Sequence, residues 1–219
     1  MADSRKTQRG LYIVIEGQDG TGKTTQIKKL REYFAQQNPA REIIEINEGA
    51  ETDSGLPSTD AIGQILHRGD FHLDPVTNLL LFTAQRKELW DKKIAPILAL
   101  DGIVLASRNW WSTLAYQGYA QGVSRKLIEN MTREFLPARY IRPDKSVILT
   151  IDDETRVLRT TSRSADVAND TFDSRENDFF AKANAGYFQI AKEFGVEVVD
   201  AGGTIDGVFA GILAGLKLK

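Results

Sequence analysis

Gly17-Gln18-Asp19-Gly20-Thr21-Gly22-Lys23-Thr24 matches G-x-x-x-x-G-K-[ST] at every fixed position. The run just before it, Leu11 to Ile15 (LYIVI), is compact and β-rich. The run just after it, residues 23 to 36, places Ile27, Leu30 and Phe34 at spacings of three and four, as on one helix face. Strand, glycine-rich loop and helix in that order are the context in which the motif is a phosphate-binding P-loop. The glycines let the loop turn tightly, so its backbone N–H groups point inward at an anion. The helix opening near Lys23 aims its positive dipole end at the same place. The expected ATP-binding set is therefore Gly17, Gly20, Thr21, Gly22, Lys23, Thr24 and Thr25. Lys23 would reach the β- and γ-phosphates as a point charge, and Thr24 would offer a hydroxyl to Mg²⁺. A P-loop alone does not separate a GTPase, an ATPase motor and a small kinase. The chain carries no N-K-x-D base-reading motif and is short for a motor, which favours a small kinase.

Working outward, short apolar runs alternate with longer helical patterns. Ile43 to Ile46, Ile103 to Ala106, Ser146 to Ile151 and Val196 to Val199 read as four further strands. Helical patterns fall at about 60–67, where Asp60 is the expected cap, and at 75–100, which Pro96 should kink or divide. Others fall at about 110–119, 124–135, 154–162, 174–194 and 205–217. This alternation predicts an α/β protein, a P-loop NTPase fold with a five-stranded parallel sheet and helices on both faces. Residues 1–9 are expected to be disordered and 10–219 to form one P-loop kinase domain, with a mobile lid at about 160–174.

Composition narrows the function. The chain has 219 residues, with 28 Lys plus Arg against 30 Asp plus Glu, a net charge of −2. That balance argues against a dedicated nucleic-acid partner. There is no cysteine, so disulfides, thiolate catalysis and cysteine-based zinc sites are excluded. His67 and His72 alone give little material for a His-rich metal site. No apolar run approaches the roughly 18 residues of a membrane helix, and the N-terminus has no signal-peptide core. The expectation is a cytoplasmic protein with no membrane partner.

Several segments in order extend the signal. Glu16 to Gln26 (EGQDGTGKTTQ), Leu80 to Arg86 (LLFTAQR) and Arg108 to Gln117 (RNWWSTLAYQ) are followed by Pro143 to Ile151, Asp178-Phe179-Phe180 with Tyr187, and Asp200-Ala201. Together they resemble the thymidylate kinase family over about residues 11 to 216. The resemblance implies transfer of the ATP γ-phosphate to dTMP, with Mg²⁺ as cofactor and a homodimer as the assembly. The long helix around 76–95 is the candidate dimer interface. It further implies an acceptor site built from Asp19, Phe82, Arg86, Arg108, Ser112, Tyr116 and Gln117. Phe82 and Arg86, at i and i+4, share a helix face and would hold a base and its phosphate. Arg108 follows the third strand, at the carboxyl edge where ligands bind. Asp19 would approach the acceptor sugar and, with Thr24, the metal. Catalysis would fall to Lys23, Arg108 and lid arginines, Arg163 first and Arg159 second, with Arg156 on the same face and Arg175 a further candidate. Trp110 and Trp111 read as packing residues.

Three departures accompany the resemblance. The family's Asp-Arg pair reads Ser107-Arg108, so the acid that helps order Mg²⁺ is absent, with Asp19 and Glu48 as candidate replacements. The family's R-E-P-G-G-T reads Asn47-Glu48-Gly49-Ala50-Glu51-Thr52, and its lid D-R-x-E reads Asp170-Thr171-Phe172-Asp173. Two alternatives therefore stand beside the main reading. One is a kinase for another deoxynucleoside monophosphate or for a nucleoside. The other is a nucleotide-binding relative without catalysis.

Overall fold

The computed structural model describes residues 10–50, 54–68, 72–164 and 177–218. The expectation of disorder for residues 1–9 and most of the expected lid lie outside these residues. Five strands form one parallel sheet: β1 (Leu11–Gly17), β2 (Ile43–Asn47), β3 (Ile103–Ser107), β4 (Lys145–Thr150) and β5 (Glu197–Asp200). Their spatial order is β2-β3-β1-β4-β5. β1 is therefore central, with Leu11 opposite Ile103 on one side and Ile13 opposite Lys145 on the other.

The inner strands are nearly continuous apolar runs because helices cover both faces of the sheet. The side-chain period of two divides these runs into two cores. Tyr12, Val14, Val104, Ala106 and Ile148 pack with Trp90, Trp110, Trp111, Tyr140 and Tyr187. Ile13, Ile15, Ile103, Leu105, Val147 and Leu149 pack with Ile27, Leu30 and Phe34 of α1 (Lys23–Gln37) and with Val208 and Ile212 of the last helix. Trp110 and Trp111 are packing residues, each with its ring against Phe194.

The helices follow from local signals with two instructive differences. α2 (Pro57–His67) starts three residues before the expected Asp60, because Pro57 at the first turn is pre-set for a helix. Asp60 instead accepts a hydrogen bond from the Ser54 N–H and so closes the preceding loop. α3 (Pro75–Leu89) is capped by Asp74, whose carboxylate accepts from the Val76 N–H. It then widens into a π-helical turn, Trp90–Ile94, before α4 (Ala95–Ala99). Pro96 has no N–H and would press on the carbonyl four residues back, so the wider turn relieves the clash.

α5 (Trp110–Thr113) runs into a second π-helical segment, Leu114–Ala120. α6 (Arg125–Phe135) and the short α7 (Ala138–Ile141), which the sequence reading missed, lead into β4. α8 (Asp153–Ser164) is capped by Asp152, which accepts from the Thr155 N–H. α9 (Asn177–Phe194) and α10 (Ile205–Gly215) complete the order.

Gly17, at the end of β1, adopts φ +135°, and a Cβ built there would lie 2.2 Å from the Leu149 carbonyl oxygen. Only glycine fits where β1 turns into the P-loop against β4. Gly17→Ala is expected to cost about 2–5 kcal/mol through backbone strain and overpacking. Urea unfolding followed by circular dichroism checks this.

Candidate functional site

All five strands point their carboxyl ends at one edge, and the P-loop leaves the central strand there, the place where such sheets bind ligands. Gly20 and Gly22 both take left-handed φ values, +83° and +81°. Lys23 is buried and folds back over its own loop, its Nζ donating to the carbonyls of Gly17 at 2.9 Å and Gln18 at 2.7 Å. Thr24 and Thr25 are exposed on the first turn of α1.

Behind the loop lies a fully buried carboxylate, Glu16. It accepts from the backbone N–H groups of Asn109 at 2.7 Å and Ser112 at 3.0 Å, and from the Ser112 and Tyr187 hydroxyls. These bonds tie β1, the start of α5 and α9 to one point. Burial and the neighbouring Glu16 charge push the Tyr187 phenol well above its usual range, so it remains a donor. Arg108 stands at φ +73°, a conformation uncommon for a side-chain-bearing residue, and leans over this cluster. Its guanidinium donates to Asp19 at 2.5 Å and to the Ser112 hydroxyl at 3.1 Å, and lies 5.5 Å from the Tyr116 ring centre. Burial works against its charge, but Asp19, Tyr116, Tyr187 and Glu16 more than offset this and raise its pKa.

Two cavities open on either side of the P-loop. The first, of about 260 Å³, is lined by Asp19, Asn47, Glu48, Gly49, Ala50, His67, Phe82, Arg86, Arg108, Ser112, Thr113, Tyr116, Gln117 and Thr160. All seven residues expected at the acceptor site are among them. Arg86 is held flat by three partners: Glu48 at 3.0 Å, the Thr113 hydroxyl at 2.6 Å and the Asn109 carbonyl at 2.9 Å. Its guanidinium lies 5.4 Å from the Phe82 ring centre. The π-helical segment after α5 turns both Tyr116 and Gln117, adjacent in sequence, toward this cavity. Ser112 is not an isolated donor, since its hydroxyl is already bonded to Glu16 and Tyr187.

The second cavity, of about 340 Å³, is lined by Gly20, Thr21, Gly22, Thr25, Gln26, Arg159, Ala201, Gly203, Ile205 and Val208. Arg159 donates to the Gly20 carbonyl at 3.3 Å and the Ala201 carbonyl at 3.0 Å, which puts it on this side of the loop. Arg156 does not share its surroundings: it is buried, with its guanidinium 4.2 Å from the Phe180 ring centre. The side chain of Arg163, and all of Arg175 and residues 170–173, lie outside the described residues.

Glu48 cannot stand in for the acid missing at position 107. Its carboxylate is buried and takes hydrogen bonds from Arg86 and from the Tyr140 hydroxyl at 2.6 Å. Asp19 is half-exposed and remains at the loop, 3.8 Å from Lys23. Sequence reasoning also missed the role of Glu16, and the presence of Thr113, His67 and Gln26 in the cavities. His67 lies with its Nε2 2.5 Å from the Gly49 carbonyl. The usable signal for Glu16 was an acid embedded in an otherwise apolar buried strand, which demands partners.

The fold and these cavities define a P-loop nucleotide-binding protein with room for a second ligand beside the loop. The family model for thymidylate kinase matches residues 15–212. The thymidylate kinase of Syntrophotalea carbinolica is 36% identical over 203 residues, 90% of each chain. That of Thermoanaerobacter pseudethanolicus is 33% identical over 186 residues, 85% of this chain and 86% of the relative. The crystal structure of thymidylate kinase from Ehrlichia chaffeensis superposes with a TM-score of 0.73 at 25% identity, covering 94% of this chain and 98% of that one. The chain belongs to the thymidylate kinase family.

Ser112→Ala would take one donor from the buried Glu16 and one partner from Tyr187. A loss of about 1–3 kcal/mol is expected, the cost of leaving buried polar atoms short of partners. Thermal and urea unfolding of the variant check it.

Proposed function

We propose that the protein transfers the γ-phosphoryl group of ATP to dTMP, forming dTDP and ADP. The observation that carries the reading is the pair of cavities meeting across Asp19 and Gly20 of one P-loop, a loop of a family whose named members are thymidylate kinases. A phosphoryl donor and an acceptor entering from opposite sides would meet beside Lys23.

In this reading the γ-phosphorus leaves the bridging oxygen of ADP and bonds to a phosphate oxygen of dTMP. The catalytic work is positioning and charge stabilisation. The second cavity takes ATP, with the P-loop N–H groups and Lys23 on its phosphates and Arg159 against the donor nucleotide. The first cavity takes dTMP. Phe82 offers a ring to stack on the base. Arg86, whose guanidinium lies 5.4 Å from that ring centre, meets a base carbonyl instead of the phosphate expected of it, and Arg108 meets the acceptor phosphate. Asp19 leaves Arg108 as that phosphate arrives and turns to the sugar or the metal. Arg163, carried on the expected lid at about 160–174, supplies a further cation to the moving group.

Thr24, exposed, and Asp19, half-exposed, offer oxygen donors beside Lys23, the hard-donor chemistry that suits Mg²⁺. When bound, the ion would neutralise charge on the phosphates. Ser107 brings no carboxylate, so among the described residues Asp19 would supply the charged oxygen that helps Thr24 hold the ion. We further propose a homodimer through α3, where Val76 and Leu80, one turn apart, are exposed apolar residues. We also propose a cytoplasmic location; no helix among the described residues is long and apolar enough to cross a membrane.

Coupled-enzyme detection of ADP, with each deoxynucleoside monophosphate and thymidine offered separately, tests the activity. Turnover with dTMP well above the rest is expected; turnover with a different acceptor, or none, would overturn the reading. Lys23→Met should lower kcat by about 10²–10³-fold, the range seen when a preorganised charge is removed from a transferring group.

A further inference from the structure

In the wall of the acceptor cavity sits a charged pair that the transfer step itself does not use. Glu48 and Arg86 are both buried, at 1% and 4% exposure. One carboxylate oxygen of Glu48 takes both hydrogen bonds, from Arg86 Nε at 3.0 Å and from the Tyr140 hydroxyl at 2.6 Å. The other oxygen, Oε1, is buried without a hydrogen-bond partner, and so is the hydroxyl of Tyr12. The remaining hydrogen bonds of Arg86 go to Thr113 and the Asn109 carbonyl, on the same wall of the cavity. Three fixed partners on three nitrogens leave the guanidinium one plane. That plane sets where its other N–H groups point.

We propose that Glu48 is a positioning residue for the acceptor: it fixes the Arg86 guanidinium in the plane from which Arg86 meets a pyrimidine carbonyl. The inference rests on the reading of this cavity as the acceptor site. Glu48 acts through Arg86 and not on the transferring phosphoryl group. It therefore governs acceptor affinity and not the rate of the step.

The pair is also tuned by its surroundings. Tyr12 and Glu16 face it from β1, Arg86 from α3 and Tyr140 from α7. Burial, with the Glu16 charge added, pushes the Glu48 carboxyl up to about 7 against the pull of Arg86 and Tyr140. Above that pH the carboxylate holds Arg86 by a charge-assisted bond. Below it the carboxyl is neutral, so the attraction between two opposite charges is lost and Arg86 keeps only its cationic hydrogen bond to an uncharged oxygen, which is weaker. Acceptor affinity should therefore rise as pH rises through 7.

The phosphate of dTMP titrates in the same region, so the probe is thymidine, with dTMP measured beside it by calorimetry. For the natural chain, thymidine should bind about fivefold tighter at pH 8 than at pH 6, the scale by which ionising the acceptor strengthens one hydrogen bond. Glu48→Gln should abolish that pH dependence, raise the KM for dTMP by a similar factor and move kcat less than twofold. Glu48→Asp should keep a titration. A flat thymidine profile in the natural chain, or the natural profile persisting in Glu48→Gln, overturns the inference. The natural-chain profile needs no variant, so a misfolded Glu48→Gln does not rescue the idea. Failure of both thymidine and dTMP to bind would instead sink the acceptor reading itself.

Discussion

Much of the site hangs on one buried carboxylate. Glu16, the last residue but one of the central strand, has no exposure and takes hydrogen bonds from Asn109, Ser112 and Tyr187. A buried anion is costly unless its lone pairs are filled, so these partners must come together for the chain to fold. Their convergence has consequences one residue away on each side. It fixes the start of α5, beside Arg108 and Asn109, and it fixes α9, whose Tyr187 packs edge-on against Tyr116 in the wall of the first cavity. The P-loop begins at the next residue, so the loop and the wall of the first cavity are set from the same point.

The second constraint is topological. In the order β2-β3-β1-β4-β5 the P-loop leaves the middle of the sheet, with the end of β3 on one side and of β4 on the other. The chain after β3 supplies Arg108, Ser112 and Tyr116, while the chain after β4 supplies Arg159. The two cavities are thus lined in part by the chain after two different strands. The P-loop lies between them.

The fold was legible in the sequence because its signals are local. The P-loop spacing, five apolar runs and their alternation with helices sufficed for the sheet and its helical layers. Proline and aspartate placed most helix starts, and the miss at Asp60 came from underweighting Pro57. That seven expected residues line one cavity was legible through family resemblance, since nothing local in Phe82 or Gln117 distinguishes a pocket wall from core. The network residues were less legible. Glu16, Thr113 and Asn109 acquire their roles from partners 23 to 171 positions away, and only packing reveals those. Position 48 shows the same limit: sequence made it a spare acid for a metal, whereas burial pairs it with Arg86.

The central claim is that donor and acceptor cavities are occupied together across one P-loop. Calorimetric titration with thymidine and adenosine joined through a five-phosphate bridge tests it most directly. The account predicts one ligand per chain, bound at least about 100-fold tighter than ATP or dTMP alone, as expected when two sites are engaged by one linked molecule. Binding no tighter than that of ATP alone, or two bridged ligands per chain, would contradict it.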